Sequence, residues 1–321
     1  VPDPHTHLPA LPDDLPSLDP ADRPLVITHG GGCPDGWCCR WLFAKHFGDG
    51  ADYLSAKHGD PVPDVRGRPH VYCADFAWKG AAMADVAKAC GGRLTVLDHH
   101  ASEESSLSDL KSHGVLGRFG AVPTVVFDLM HSGAHLTWKF LKDAGATHPV
   151  FSHWSEPPLL VRLVEARDLW RFDSVPNARQ LTAAINAYPQ TEAAWDTLHS
   201  RLRDPNGYAN LIAEGSALLR KQDQAVEAAC RNAVEIVLAG HRVLCVNATG
   251  YISEVGERLA AGRPFSATYF DDLQRGLRVW SLRSLEGGED VSVIAKRLGG
   301  GGHAPAAGFQ RPIGESMSAI A

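Results

Sequence analysis

Short apolar runs that stop on an acid or an imidazole recur along this chain, and they restrict its fold more than any other feature. Thr95-Val-Leu-Asp-His-His100 is the plainest: an apolar run closes on one carboxylate and two adjacent imidazoles. Leu25–Thr28 runs into His29, with Asp35 soon after; Val71–Cys73 is followed by Asp75, and Val125–Phe127 by Asp128. Parallel strands align their C-terminal ends along one sheet edge, where the active sites of open α/β folds collect. The runs alternate with helical segments over about 37–47 and 81–90, which predicts a mostly parallel sheet with helices on both faces.

Further along, helical spacing dominates. Residues 158–170 carry Leu160, Val161, Val164 and Asp168 at intervals of three and four, and 178–187 and 209–238 read as long connecting helices. Alternation resumes with strands near 242–247, 265–270 and 277–282 and helices over 252–260 and 290–297, which implies a smaller α/β domain with a mixed sheet. The expected organisation is a Pro-rich arm over 1–23, a metal-binding catalytic domain over 24–190, a helical linker over 191–240 and a substrate-binding domain over 241–321. The first twenty residues hold six prolines and both His5 and His7, so a regular helix is excluded there. An extended arm is expected, with an auxiliary metal site at the two histidines as the alternative.

The 321 residues carry a net charge of −6, which argues against a broad, non-specific nucleic-acid surface but leaves room for a short nucleotide held locally. No run reaches the ~18 apolar residues that a membrane span needs. Seven cysteines without a repeated CxxC pair read as reduced thiols, and no basic segment leads into an apolar stretch at the start. A cytoplasmic protein, monomer or homodimer, is expected.

Hard oxygen ligands mixed with imidazole suit Mn²⁺, Fe²⁺ or Zn²⁺. Taken singly, the candidates have plainer readings: Asp75 as a helix cap, Asp168 as a salt-bridge partner of Arg162, Arg167 or Arg171, and the Gly30–Gly32 turn without any ligand. Adjacent imidazoles in an apolar setting, as at His99 and His100, are costly unless satisfied. Trp37, Trp138, Trp154 and Trp170 are candidate base platforms, although tryptophan at helical spacing more often belongs to a core. Asp128 reads equally as a cap or salt-bridge partner and as an assistant near the Ser132-Gly-Ala134 segment.

These motifs resemble the DHH/DHHA1 phosphoesterase superfamily, in its free-standing two-domain form. The resemblance rests on Thr95–His100, on Ala74-Asp75-Phe76, on Glu165-Ala-Arg-Asp168, on Ser281-Leu-Arg283-Ser284, and on the glycine-rich Leu298–Phe309 with its Gly-Gly-Gly-Gly-His303, and it covers about residues 24–312. It implies two divalent ions, Mn²⁺ by preference: His29 and Asp75 on the first, and Asp35, Asp75, His99 and Asp168 on the second, with Asp75 bridging. It also implies that Asp98 orients His99 or a water. His100, Arg283 and His303 would meet the substrate phosphate, helped by the amides of Gly300, Gly301 and Gly302. The chain departs from the His-x-Asn-Pro-Asp-x-Asp pattern at Cys33, which stands where the earlier carboxylate is expected. Either Cys33 is a thiolate ligand, favouring Zn²⁺ or Fe²⁺, or the first metal site is weak.

The resemblance implies hydrolysis of a phosphate ester by water activated between two ions. Short oligonucleotides or dinucleotides are the leading substrates. Cyclic dinucleotides, 3′-phosphoadenosine 5′-phosphate, and pyrophosphate or polyphosphate are alternatives, as is a nucleotide-binding protein without turnover.

Overall fold

The computed structural model describes residues 22–112, 121–151 and 155–315. The N-terminal arm with His5 and His7, and Trp154, lie outside the described residues.

Five parallel strands make the first sheet: β1 (Leu25–His29), β2 (Asp52–Ala56), β3 (Val71–Ala74), β4 (Leu94–Asp98) and β5 (Thr124–Phe127), in the order β2-β1-β3-β4-β5. Side chains alternate between its two faces, as a period of two demands. On β1, Val26 enters one core and Leu25 and Ile27 the other. The first core is built with α1 (Pro34–Phe47), the second with α2 (Ala81–Ala89) and α3 (Glu104–Ser112). Both faces are therefore covered, which is why these strands read as unbroken apolar runs. From β1 the chain moves outward to β2, and from β3 it moves the opposite way to β4 and β5. The order reverses between β1 and β3, and their C-terminal ends open a crevice there.

Three helices thicken the first core: α4 (Gly133–Asp143), α5 (Leu159–Asp168) and α6 (Ala178–Asn186), joined by α7 (Glu192–Arg203). The 26-residue α8 (Pro205–Cys230) opens with proline after Asp204, whose carboxylate accepts the Gly207 amide at 2.6 Å. This is a capped start with proline where its missing N–H costs nothing. At 1.5 Å per residue α8 spans roughly 39 Å. Its Leu211 is buried in the first core and its Val226 in a cluster with Val246, Val255 and Leu259 of the second domain. One rigid rod thus joins the two.

The second sheet has six strands: β6 (Val234–Leu238), β7 (His241–Asn247), β8 (Ser266–Asp272), β9 (Leu277–Arg283), β10 (Gly301–His303) and β11 (Ala306–Pro312). Their order is β10-β11-β9-β8-β7-β6, antiparallel except for the β7–β8 pair. With α9 (Ile252–Ala260) and α10 (Val291–Arg297) this is the expected smaller mixed-sheet domain.

The helix expected over 209–238 is corrected: it ends at Cys230, and Val234–Leu238 is an edge strand paired with β7. Alternating β-branched residues favour the strand, and Ala239 (φ 50°) and Gly240 (φ 82°) close the turn to β7. No glycine or proline marks the break, which falls at Arg231-Asn232-Ala233.

Gly215 is where α8 lies closest to α6, since a Cβ there would collide with the Gln180 carbonyl. Gly215→Ala gains about 1 kcal/mol of helix propensity and forces a backbone separation of the kind that costs about 1–3 kcal/mol. A net loss of stability is expected in a urea titration; a higher midpoint would contradict this packing.

Candidate metal centre

His29 ends β1, and Gly31 and Gly32, both at positive φ (75° and 84°), turn the chain back into α1. That turn brings Asp35, in the first turn of α1, under the sheet edge, fully buried. Gly36 follows because any Cβ there would strike the His29 carbonyl. Asp75 lies one residue beyond β3 at φ 57°, a left-handed conformation that costs a non-glycine residue about 1 kcal/mol or more. Its amide is held by the Leu97 carbonyl at 2.9 Å. Asp98 closes β4 and Asp168 closes α5.

These residues converge on His99. Its Nε2 lies 3.2 Å from Asp75 Oδ1, 3.4 Å from Asp168 Oδ2 and 3.8 Å from Asp35 Oδ2. On the other side of Asp75, its Oδ2 is 3.5 Å from His29 Nδ1 and 3.4 Å from Cys33 Sγ. Asp75 therefore stands between two donor groups, His29–Cys33–Asp75 and Asp35–His99–Asp168, each with its ligand atoms within 4.8 Å of one another. His29 Nδ1 is buried without a hydrogen-bond partner.

Asp35 is fixed by a helix start. The Gly133 and Ala134 amides donate to its Oδ2 and Oδ1 at 2.7 and 3.0 Å. Exposed amides and the positive end of α4 make this a natural carboxylate site. Asp128, by contrast, caps its own turn, accepting the Met130 amide at 2.8 Å.

Electrostatically the centre carries too much negative charge. Burial, then Asp75 and Asp168, push the Asp35 carboxyl well up, and burial and Asp75 raise Asp168 to about 6. Asp75 is buried as deeply, yet the His29 and His99 imidazoles beside it hold its carboxyl well below the usual carboxylate range. Burial opposes charge on His99, but Asp75, Asp168 and Asp35 outweigh it and lift the imidazole to about 9. Burial, then Asp75 and Asp35, push the Cys33 thiol far up. A cation among these groups would reverse the penalties on Asp35, Asp168 and Cys33, because a bound ion dominates the local field and deprotonates a coordinating thiol.

Asp98 acts on the other histidine from the one expected. Its Oδ1 accepts His100 Nδ1 at 2.7 Å, whereas His99 gives it only a backbone amide at 2.8 Å. Asp98 thus orients His100 and leaves Nε2 as that ring's available nitrogen. Burial works against charge on His100, but Asp98 raises it to about 9. Across the cleft, the His303 ring is 6.2 Å from that of His100. Arg283 lines the same cleft, its guanidinium 2.8 Å from Ser253 Oγ, and burial lowers its pKa.

The glycine run differs from expectation. The Gly300 amide donates to the Ala295 carbonyl at 2.8 Å and is not free for an anion. A Cβ on Gly300 would strike the Gly308 carbonyl, and one on Gly302 would lie 2.5 Å from the Ala306 carbonyl. Gly301 and Gly302 pair with Gly308 and Ala307 in the β10–β11 hairpin. These glycines allow close backbone packing, and His303, Pro305 and Ala306 reach the cleft instead.

The cleft measures about 1180 Å³ and runs from His99 and His100 to Arg283 and His303, between the two sheets. Arg167 of α5 bridges its walls through a 2.9 Å contact with Glu254 of α9. Of the tryptophans, Trp170 lines the cleft while Trp138 is core, its indole bonded to the Val150 carbonyl. Trp37 packs partly buried against the first core. Tyr188 and Gln190, also in the cleft, carry no sequence signal. Neither does His58, whose ring is 5.7 Å from that of His29.

Among protein-family profiles, none matches the chain. Over 312 residues, 90% of the chain and 68% of the relative, it is 24% identical to an uncharacterized protein of Acanthamoeba polyphaga mimivirus. A stretch of 78 residues, 24% of the chain, is 42% identical to the oligoribonuclease NrnB of Bacillus subtilis, covering 19% of that protein. The solved DHH domain of PF0399, a member of the S1p family of ribosomal proteins, superimposes with a TM-score of 0.52 at 13% identity, over 90% of this chain and 82% of that one. The fold is the DHH/DHHA1-like two-domain fold. Motifs, fold and distant relatives together point to the DHH/DHHA1 phosphoesterase superfamily.

Within this centre Gly133 has little slack: a Cβ there would lie 2.5 Å from the Asp75 Cβ and 3.0 Å from Asp35 Oδ2. Gly133→Ala is expected to weaken divalent-ion binding by about 10–100-fold, as loss of a supporting group around a metal does. Equilibrium dialysis against Mn²⁺ reads this, and unchanged affinity in the folded variant would contradict the placement.

Proposed function

We propose that the chain is a metal-dependent phosphoesterase that hydrolyses short oligonucleotides or dinucleotides. The observation that carries this reading is the crowding of Asp35, Asp75 and Asp168 around one imidazole nitrogen, with Asp75 shared with His29 and Cys33. The buried carboxylates of Asp35 and Asp75, a third at Asp168 on the cleft wall, and a His29 Nδ1 without a hydrogen-bond partner fit a pair of divalent ions. His29, Cys33 and Asp75 would hold the first and Asp35, Asp75, His99 and Asp168 the second. Bound there, the ions supply Lewis acidity at the phosphoryl group and a water nucleophilic at neutral pH.

The chain's own residues do the rest. His100, held by Asp98 and charged near neutral pH, binds a phosphoryl oxygen from one wall of the cleft, and Arg283 and His303 bind from the other. Donors fixed in place in advance stabilise a developing negative charge without reorganising. Trp170 and Tyr188 offer ring faces for a base, and the Arg167 guanidinium packs 4.5 Å from the Trp170 ring. The cleft volume exceeds the ~300–1,000 Å³ of ordinary small-ligand sites, which suits a two-base substrate better than pyrophosphate. The NrnB-like stretch supports an oligoribonucleotide in particular.

The test is turnover of dinucleotides, cyclic dinucleotides, 3′-phosphoadenosine 5′-phosphate and pyrophosphate by the Mn²⁺-loaded chain and by Asp75→Asn. Linear dinucleotides should turn over fastest, and the variant should lose at least about a hundredfold in rate, roughly 3 kcal/mol of barrier. Tight nucleotide binding without turnover under Mn²⁺, Zn²⁺ or Fe²⁺, or pyrophosphate as the best substrate, would overturn the reading.

Cys33 sets the preference of the first ion. Thiolate suits softer ions and carboxylate suits Mn²⁺. Cys33→Asp should therefore raise Mn²⁺ affinity and lower Zn²⁺ affinity, by about tenfold each, in parallel calorimetric titrations. An unchanged ratio would mean that Cys33 is no ligand.

A further inference from the structure

A second group of ligand-type side chains lies outside the centre just described. His131 precedes α4, His135 sits one turn later, and Glu165 lies one turn before Asp168 on α5. His131 Nδ1 is 2.8 Å from Glu165 Oε1 and His135 Nδ1 is 2.9 Å from Oε2, so two imidazoles divide one carboxylate. The rings lie nearly face to face, with centroids 3.8 Å apart and planes 33° apart. One donor atom from each of the three residues falls within 4.8 Å of the others. A tetrahedral ion with ligand bonds of about 2.0–2.1 Å sets its ligand atoms about 3.4 Å apart. Small side-chain rotations cover that difference. The side chains are 41, 16 and 17% exposed, so the group is held by the fold yet open to solvent.

We infer that His131, His135 and Glu165 bind a third divalent ion, of the Zn²⁺ class, separate from the pair assigned to Asp75. Two imidazoles and one carboxylate form a ligand set for zinc that leaves a coordination position open. On binding, each neutral ring gives Nδ1 to the ion and carries its proton on Nε2, so the hydrogen bonds to Glu165 are replaced by coordination. Glu165 Oε1 also accepts the Ser132 amide at 3.3 Å, and the next two amides hold Asp35. An ion here pins the start of α4 and, through it, the position of Asp35. The site is a clamp on the catalytic centre and takes no part in the reaction.

The test compares Zn²⁺ content after equilibrium dialysis of the wild-type chain, the His131→Ala/His135→Ala double variant and Asp75→Asn. The double variant should bind one ion fewer per chain than wild type, and Zn²⁺ should raise the melting temperature of Asp75→Asn but not that of a variant that combines Asp75→Asn with His131→Ala and His135→Ala. Should the double variant fail to fold, His135→Gln carries the same comparison. Equal Zn²⁺ content in wild type and the folded variant would overturn the third site. This difference is independent of the dinuclear proposal, whose failure would instead appear as unaltered metal content in Asp75→Asn.

Discussion

Three carboxylates sharing one buried imidazole set the terms for the rest of this molecule. Asp35, Asp75 and Asp168 all lie within 3.8 Å of His99 Nε2. Burying charge without compensation is costly, and like charges in a low-dielectric site raise one another's pKa. Several elements absorb that cost. The first amides of α4 serve Asp35, two imidazoles flank Asp75, and Asp75 itself adopts a left-handed backbone. Strain and crowding of this kind persist only where surrounding structure enforces them. Here the enforcing structure is a parallel sheet whose strand order reverses between β1 and β3.

The cleft depends on how the second sheet is held against this edge. Helix α8 is buried at Leu211 in one core and at Val226 in a cluster of the other, so the spacing of the domains follows from a rod. The Arg167–Glu254 contact ties the walls one residue from Asp168. A binding wall with Arg283 and His303 therefore faces a charge-dense wall with His99 and His100. The Arg283 guanidinium and the His303 imidazole lie across the cleft from the carboxylate cluster, and Trp170 and Tyr188 line the same cleft.

Much of this was legible in the sequence because parallel strands are written as apolar runs with their chemistry at the ends. β1, β3 and β4, and the residues His29, Asp75, Asp98 and His99 beyond them, follow from that pattern alone. What escaped is tertiary. The amides of Gly133 and Ala134 meet Asp35 across nearly a hundred residues, and no local pattern announces that. The preference of Asp98 for His100 over His99 depends on ring orientation rather than order in the chain. The exposed edge strand β6 lacks glycine or proline at its start, so helical periodicity carried through it. Gly300 illustrates the opposite error. A run of four glycines suggests free amides for an anion, yet the first of the three expected to serve is spent on α10 and the residues permit close strand packing.

The central claim is that Asp75 stands between two cations. Anomalous diffraction at the manganese edge, from crystals grown with Mn²⁺, tests it most directly. Two peaks flanking Asp75 are predicted, one against His29 and Cys33 and one against Asp35, His99 and Asp168. A single peak remote from Asp75, or none within coordination distance of it at saturating Mn²⁺, would contradict the account.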